Sequence, residues 1–170
     1  MAVDYGLSIG LKSADLITAL LITQFVGFPA AYVFGLAASR YSPKKGILFG
    51  IAVYLVAVVV AIQLESAREF YILAILIGCV QGGVQSLSRS LFSRFVPERQ
   101  SGEFFALFNI IGRFAAVIGP LMVALIGIWT GSPRWGVGSI SVLFVLGALF
   151  LLKVDMNAGE RERLKYESES

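Results

Sequence analysis

The sequence contains no histidine, a single cysteine and few charged residues. Without histidine, the usual metal-ligand sets and His-based catalytic arrangements are absent, and the lone Cys79 excludes an intrachain disulfide. Charged residues make up 15% and hydrophobic residues 57%, which leaves too little charge to cover the surface of a soluble domain of 170 residues. These shortages predict an integral membrane protein that is not an enzyme and holds neither metal nor cofactor.

Five apolar runs are long enough to cross a lipid bilayer, which takes about 20 residues of helix. They predict an all-α membrane domain over residues 16–152, with helices at residues 16–38, 46–64, 70–95, 104–129 and 137–152. Residues 1–15 are too short and mixed to span, and they predict the end of a truncated helix followed by a loop. The charged residues 153–170 lack an apolar face and predict a disordered tail.

The basic residues indicate the orientation in the membrane. The first and third connections between the runs, together with the tail, hold most of them, among them Arg40, Lys44, Lys45, Arg94 and Arg99. The positive-inside rule places this set, and therefore the carboxyl terminus, in the cytoplasm. We expect a multi-pass protein of the bacterial inner (plasma) membrane. Because the charges follow the connections and form no stripe, nucleic acid is not an expected partner.

Polar side chains stand inside two of the predicted helices. Gln81 and Gln85 lie one turn apart on the third helix, and Asn109 and Arg113 lie one turn apart on the fourth. Such groups are costly in hydrocarbon unless they face protein or a water-filled cavity. We therefore predict that these four residues bind a small-molecule solute.

Three of the candidates have structural alternatives that stay open. Gln24, in the first helix, either faces the solute path or hydrogen-bonds across a helix interface. Arg89 lies roughly 28 Å into the third helix, where its long side chain also reaches the headgroups as an anchor. Arg113 lies about 14 Å into the fourth helix, and no acid in the apolar runs can pair with it. An anionic ligand, a partner outside this chain or carbonyl groups of a neighbouring helix would neutralise its charge.

The run from Gly82 to Pro120, GGVQSLSRSLFSRFVPERQSGEFFALFNIIGRFAAVIGP, resembles the carboxyl-terminal half of the vacuole-effluxer-like (autophagy-related) family of the major facilitator superfamily. The connection GLAASRYSPKK is similar to the superfamily's cytoplasmic signature loop, which gates transport. The residues that match this gating loop are Gly35, Arg40, Lys44 and Lys45. Ser39 stands where the loop has an acid, and Ser42 where it has a glycine.

The resemblance implies a fold of twelve membrane helices in two halves, of which this chain would hold the eighth to twelfth and the end of the seventh. Substrate sites of such transporters lie between the halves near the membrane midplane. The resemblance therefore implies efflux of small solutes such as amino acids, with a missing amino-terminal half or another membrane chain as partner. The alternative is a membrane interaction module that pairs with a separate chain and transports nothing.

Overall fold

A computed structural model describes residues 2–8, 10–40 and 42–169, with the side chains of the same ranges except 2–4, 35, 37–40 and 169. The described residues form α-helices joined by short connections, with one short 3-10 helix, Glu98–Gln100, before α5. The α-helices are α1 (Ala2–Ser8), α2 (Ser13–Arg40), α3 (Pro43–Ile62), α4 (Ala67–Ser93), α5 (Ser101–Thr130), α6 (Pro133–Gly138), α7 (Ile140–Lys153) and α8 (Met156–Glu169).

Five segments of the described chain are long and apolar enough to cross a membrane: Ser13–Phe34, Pro43–Ile62, Ala67–Ser93, Glu98–Thr130 and Pro133–Lys153. This confirms the predicted all-α integral membrane fold. Helices α2 to α5 begin three residues earlier than the apolar runs suggest, because polar residues form their first turns. At α4, for example, Ser66 and Glu69 form a capping box, in which each side chain accepts a hydrogen bond from the other residue's backbone N–H.

The expectation of a disordered tail differs from the structure, in which α8 occupies Met156–Glu169. The carboxylate of Asp155 accepts hydrogen bonds from the backbone N–H groups of Asn157 (2.9 Å) and Ala158 (3.3 Å), which satisfies the free donors at the start of the helix. The glutamate, arginine, lysine and leucine residues that follow are good helix formers. Charge content alone predicted disorder, whereas capping and contacts with the rest of the chain favour a helix.

The most extensive helix contact among the described residues joins α2 and α4, which run in the same direction. Helix α2 presents a stripe of small residues, Thr23, Gly27 and Ala31, and α4 presents Gly78 and Gly82. A Cβ atom on Gly78 would lie 2.8 Å from the carbonyl oxygen of Thr23, and one on Gly82 would lie 2.9 Å from the Cβ of Ala31. Only glycine allows this approach, as in other membrane helix pairs with small residues four apart. We call this contact the glycine seam.

Helix α3 packs on another face of α4 and runs in the opposite direction. Leu87 of α4 lies against Gly46, and Val84 lies against Gly50, so the side chains of one helix fill gaps left by glycines of the other. Two clusters of buried side chains result. The larger contains Leu16, Ala19, Ala57, Ala61, Leu64, Phe70, Leu73 and Ala74, and the smaller contains Ile47, Leu87 and Leu91.

The end of α3 is stabilised by residues from α1 and α6. The hydroxyl of Tyr5 donates a hydrogen bond of 2.6 Å to the carbonyl of Ala61, and burial raises the pKa of this phenol, so it stays protonated as a donor. The guanidinium of Arg134 donates to the carbonyl of Leu64 at 3.3 Å and lies 3.9 Å from the carboxylate of Glu65. These side chains thereby donate additional hydrogen bonds to carbonyl groups at and just beyond the end of α3.

The glycine seam predicts a strong asymmetry between two glycine substitutions. Gly82→Leu inserts a side chain between two touching backbones and should lower the free energy of unfolding by about 1–3 kcal/mol. Gly147→Leu on α7 is the matched control, because a Cβ at Gly147 meets nothing within 4 Å. Denaturant titration in mild detergent measures both values. Equal free energies of unfolding for the two variants would contradict the close contact of α2 and α4 at the glycine seam.

Candidate functional site

The candidate site is a polar groove where α2 and α4 meet, near the middle of both helices. It has a volume of about 240 Å³. Seven residues line it: Thr23, Gln24, Gly27, Phe28, Gln81, Gly82 and Gln85. The structure thus brings together three of the six predicted solute-binding residues, one from α2 and two from α4. No lining residue carries a charge.

The glycine seam positions the three glutamines. Gln81 precedes Gly82 in the seam, Gln85 follows one turn later, and Gln24 stands beside Thr23 on the facing helix. All three side chains are exposed rather than packed into the bundle. Within the part of the chain that the structure describes, none of these amides has a hydrogen-bond partner, so their donors and acceptors are open to a ligand or to water.

One aromatic side chain of α2 adds to the groove. The ring of Phe28 is 85% exposed at the rim, where it offers an apolar face beside the amides. Pro29 follows it inside α2 and has no N–H, so it cannot donate the usual helical hydrogen bond to the carbonyl four residues earlier.

Thr23 was not predicted from the sequence, although it fixes the groove's inner wall. Its hydroxyl donates 2.9 Å to the carbonyl of Ala19 in its own helix and lies 3.3 Å from the carbonyl of Ala74 on α4. The four-residue spacing of Thr23, Gly27 and Ala31 is the signal in the sequence that marks this face of α2.

Asn109 and Arg113 lie apart from the groove, on α5. No residue of α5 is buried, and this helix meets α4 mainly near its own start, where Phe105 and Phe108 surround Phe92 with ring centroids 5.4 and 4.7 Å away. Arg113 has no hydrogen bond or ion pair within the described ranges. Its role, and that of Asn109, in one site with the glutamines stays a prediction.

Arg89 also lies outside the groove. It is exposed on α4, one turn beyond Gln85 toward the end of the helix. Its position is compatible with both interpretations drawn from the sequence, solute binding and anchoring at the headgroups, and its role also stays a prediction.

The predicted gating loop is described in part. Gly35 and Arg40 lie outside the residues whose side chains the structure describes. The ammonium group of Lys44 donates to the carbonyls of Leu152 (3.0 Å) and Val154 (2.7 Å), at the carboxyl end of α7. Lys45 is exposed. A cation at the end of a helix satisfies free carbonyls and interacts favourably with the helix dipole.

No group of three or more His, Cys, Asp or Glu side chains that could hold a metal ion occurs among the residues that the structure describes. The chemistry that the groove offers is hydrogen bonding by the amides of Gln24, Gln81 and Gln85, beside the aromatic face of Phe28. Five helices long and apolar enough to cross a membrane, with such a groove near the middle of two of them, define an all-α integral membrane protein.

Comparison with known proteins identifies the family. A family model described as "Vacuole effluxer Atg22 like" matches residues 7–164. The chain is 39% identical over 151 residues to the Uncharacterized MFS-type transporter YxiO of Bacillus subtilis (strain 168), and 32% identical over 137 residues to Autophagy-related protein 22 of Yarrowia lipolytica. The chain belongs to the vacuole effluxer Atg22-like family, which confirms the resemblance drawn from its sequence.

The relatives are considerably longer than this chain. The match covers 89% of the chain but 35% of the Bacillus protein, and 75% of the chain but 23% of the Yarrowia protein. No solved structure matches the chain significantly. The helices described above therefore correspond to about a third of the Bacillus relative.

The contact between Lys44 and α7 predicts different effects for two adjacent lysines. Lys44→Ala removes both hydrogen bonds to the carbonyls of Leu152 and Val154 and should lower the free energy of unfolding by about 1 kcal/mol. Lys45→Ala removes the same charge from an exposed position and should leave stability nearly unchanged. Unfolding of the two purified variants in detergent provides the comparison, and an equal loss in both would mean that general charge, rather than the α7 contact, matters.

Proposed function

We propose that the chain forms one wall of a secondary transporter that exports small solutes, such as amino acids, across the membrane. The observation that carries this proposal is the groove with three unpartnered amides at mid-helix depth. Amides at this depth are costly against lipid, and they are better explained by water or a polar solute in the groove. The names of the relatives, an MFS-type transporter and vacuole-effluxer proteins, support transport in general.

In this proposal the groove residues orient the solute. Gln24, Gln81 and Gln85 each offer amide donors and an acceptor, which suits a polar solute with several hydrogen-bonding groups. Arg113 would meet a carboxylate of the solute, because a guanidinium binds a carboxylate through two parallel hydrogen bonds. Asn109, one turn before Arg113 on α5, would add a further amide.

The other wall of the site would come from outside this chain. Helix α5 carries Arg113 but has no buried residue, so a large part of its surface is available for contact. The chain also matches only 35% of the Bacillus relative. We propose that an amino-terminal transporter half, or another membrane chain, covers the groove and α5, and that export proceeds by rocking of the two halves around the solute.

The orientation follows from the basic residues. Lys44, Arg94 and the start of α8 lie at one end of the bundle, since Lys44 binds the end of α7 and Arg94 lies 3.8 Å from Glu160 of α8. We propose that this end faces the cytoplasm of a bacterial cell, with the protein in the inner membrane and its carboxyl terminus inside. The proposal includes no enzymatic step.

The second candidate function is a membrane interaction module without transport. The absence of any buried residue in α5 favours it, because a helix so exposed is suited to pairing with another membrane chain. The two candidates differ in what the groove does. A transporter needs the amides for solute recognition, whereas an interaction module needs them at most for helix pairing.

Substitution of the glutamines tests the transporter. Gln81→Leu keeps the approximate shape of the side chain and removes its hydrogen bonds, so export should fall about two- to tenfold. Gln63→Leu is the matched control, because Gln63 lies exposed at the end of α3, outside the groove. Export of a radiolabelled amino-acid mixture is measured from preloaded cells that carry the gene with its native flanking DNA.

Three outcomes of this assay are informative. A loss in Gln81→Leu alone, at equal protein abundance in the membrane, supports the transporter. Export that is the same with and without the gene contradicts the proposed substrates. Gene-dependent export that both variants retain contradicts the role of the groove in solute recognition.

A further inference from the structure

The helix α8 contacts the connection between α4 and α5 rather than extending away from the bundle. Three polar contacts join them along the helix. They are Arg94 Nη1 to Glu160 Oε1 (3.8 Å), the backbone N–H of Glu98 to Glu167 Oε1 (3.2 Å), and Gln100 Nε2 to the hydroxyl of Tyr166 (3.1 Å). Because the three contacts are spread over residues 94–100 of the connection and 160–167 of the helix, α8 lies along the whole connection.

Apolar contacts fix the first turns of α8 in the same place. The ring of Phe95 lies against Gly159, where a Cβ atom would be 2.5 Å from the Cδ1 of Phe95. Met156, at the start of α8, packs against the buried cluster of Ile47, Leu87 and Leu91. Gly159 thus allows the helix to approach the connection more closely than any larger residue would.

The lipid bilayer does not explain this position. Half of the 14 residues of α8 are charged, and both signs alternate along it. A helix that lies in the membrane interface instead has one strongly apolar face. Leu164 and Tyr166 are its large exposed apolar and aromatic side chains, and they are too few for such a face. The contacts with the connection are therefore what holds α8.

The connection controls where α5 goes. At its start α5 touches α4 only through the ring cluster of Phe92, Phe105 and Phe108, and no residue of α5 is buried. Residues 94–100, which α8 contacts, thus direct the first half of α5 relative to α4, while the far half of α5 packs on α6, where a Cβ atom on Gly136 would lie 2.5 Å from the carbonyl oxygen of Val123. Because Arg113 lies three turns into α5 and Gln85 lies on α4, the direction of this first half also affects the distance between them.

We propose that α8 is a clasp on the α4–α5 connection, and that its release lets α5 move relative to α4. The clasp is defined by Glu160, Tyr166 and Glu167 of α8 with Arg94, Glu98 and Gln100 of the connection. The effect of this movement on solute binding rests on the proposed function. The movement of α5 relative to α4 does not depend on it. Arg94 and Glu160 are each about half exposed, so salt screens this pair and weakens the clasp.

Spin-label distances test the clasp without any transport assay. In a Cys79→Ser background of the full chain, labels at Ser86 and Ile111, both exposed, report the separation of α4 and α5. A label at Leu164, which is 55% exposed, reports the mobility of α8 in a separate sample. Arg94→Glu should increase the released fraction of α8 about two- to fivefold and broaden the Ser86–Ile111 distance distribution.

Two further variants serve as controls. Arg94→Glu combined with Glu160→Arg restores the ion pair with reversed charges and should restore both readouts. Arg161→Glu makes the same change of charge on α8 itself. Among the described residues the side chain of Arg161 donates only to Asn157 in its own helix, so neither readout should change.

Arg94→Glu leaves the other contacts of α8 with the connection in place. Removal of residues 156–170 removes all of them and therefore releases the connection entirely. A broader Ser86–Ile111 distribution in this truncated chain, with circular dichroism that shows the remaining helices intact, supports the proposal. An unchanged distribution in the truncated chain overturns it. A broadening in Arg161→Glu as large as in Arg94→Glu also overturns it, because the effect would then come from net charge.

Discussion

Three glycines, Gly27, Gly78 and Gly82, let the backbones of α2 and α4 touch near the middle of both helices. In a bilayer the hydrophobic effect does not drive helices together, since lipid tails are as apolar as leucine, and close packing has to replace it. The seam supplies that packing on one face of α4, while Leu87 and Val84 pack into glycine gaps of α3 on another. The position of every groove residue depends on this arrangement.

The same seam explains why polar side chains can stand beside a close helix contact. Gln24, Gln81 and Gln85 border the contact but do not enter it, so the helices pack through small residues while the amides stay open beside them. An amide in hydrocarbon without partners would be costly, and packing within the described residues does not remove that cost. Water, a solute or a second membrane chain has to supply the hydrogen bonds, and the first two sources connect the fold to the proposed transport.

The sequence predicted the five spans because apolar length is a local property, and it placed Gln81 and Gln85 on one face because helical spacing is also local. It did not show that Gln24 would join them, since that depends on which face of α2 meets α4. The stripe of Thr23, Gly27 and Ala31 carries this information, but small residues four apart occur often by chance. The packing of α8 on the α4–α5 connection and the contact of Lys44 with α7 join residues more than 60 positions apart in the chain, which no local pattern contains. The placement of α5 away from the groove likewise depends on contacts between residues that are distant in the sequence.

The most direct test of this account asks whether water reaches the groove inside the membrane. Single cysteines at Gln81 and Gln85, in a Cys79→Ser background, are treated in intact membranes with a charged, membrane-impermeant thiol reagent. Such reagents need the thiolate, so we expect labelling at both positions at least about tenfold faster than at Val56, an exposed position on α3. Slowing of this labelling by the exported solute would connect the groove to transport. Labelling at Gln81 and Gln85 as slow as at Val56 would mean that the groove faces lipid or protein, and it would contradict the account.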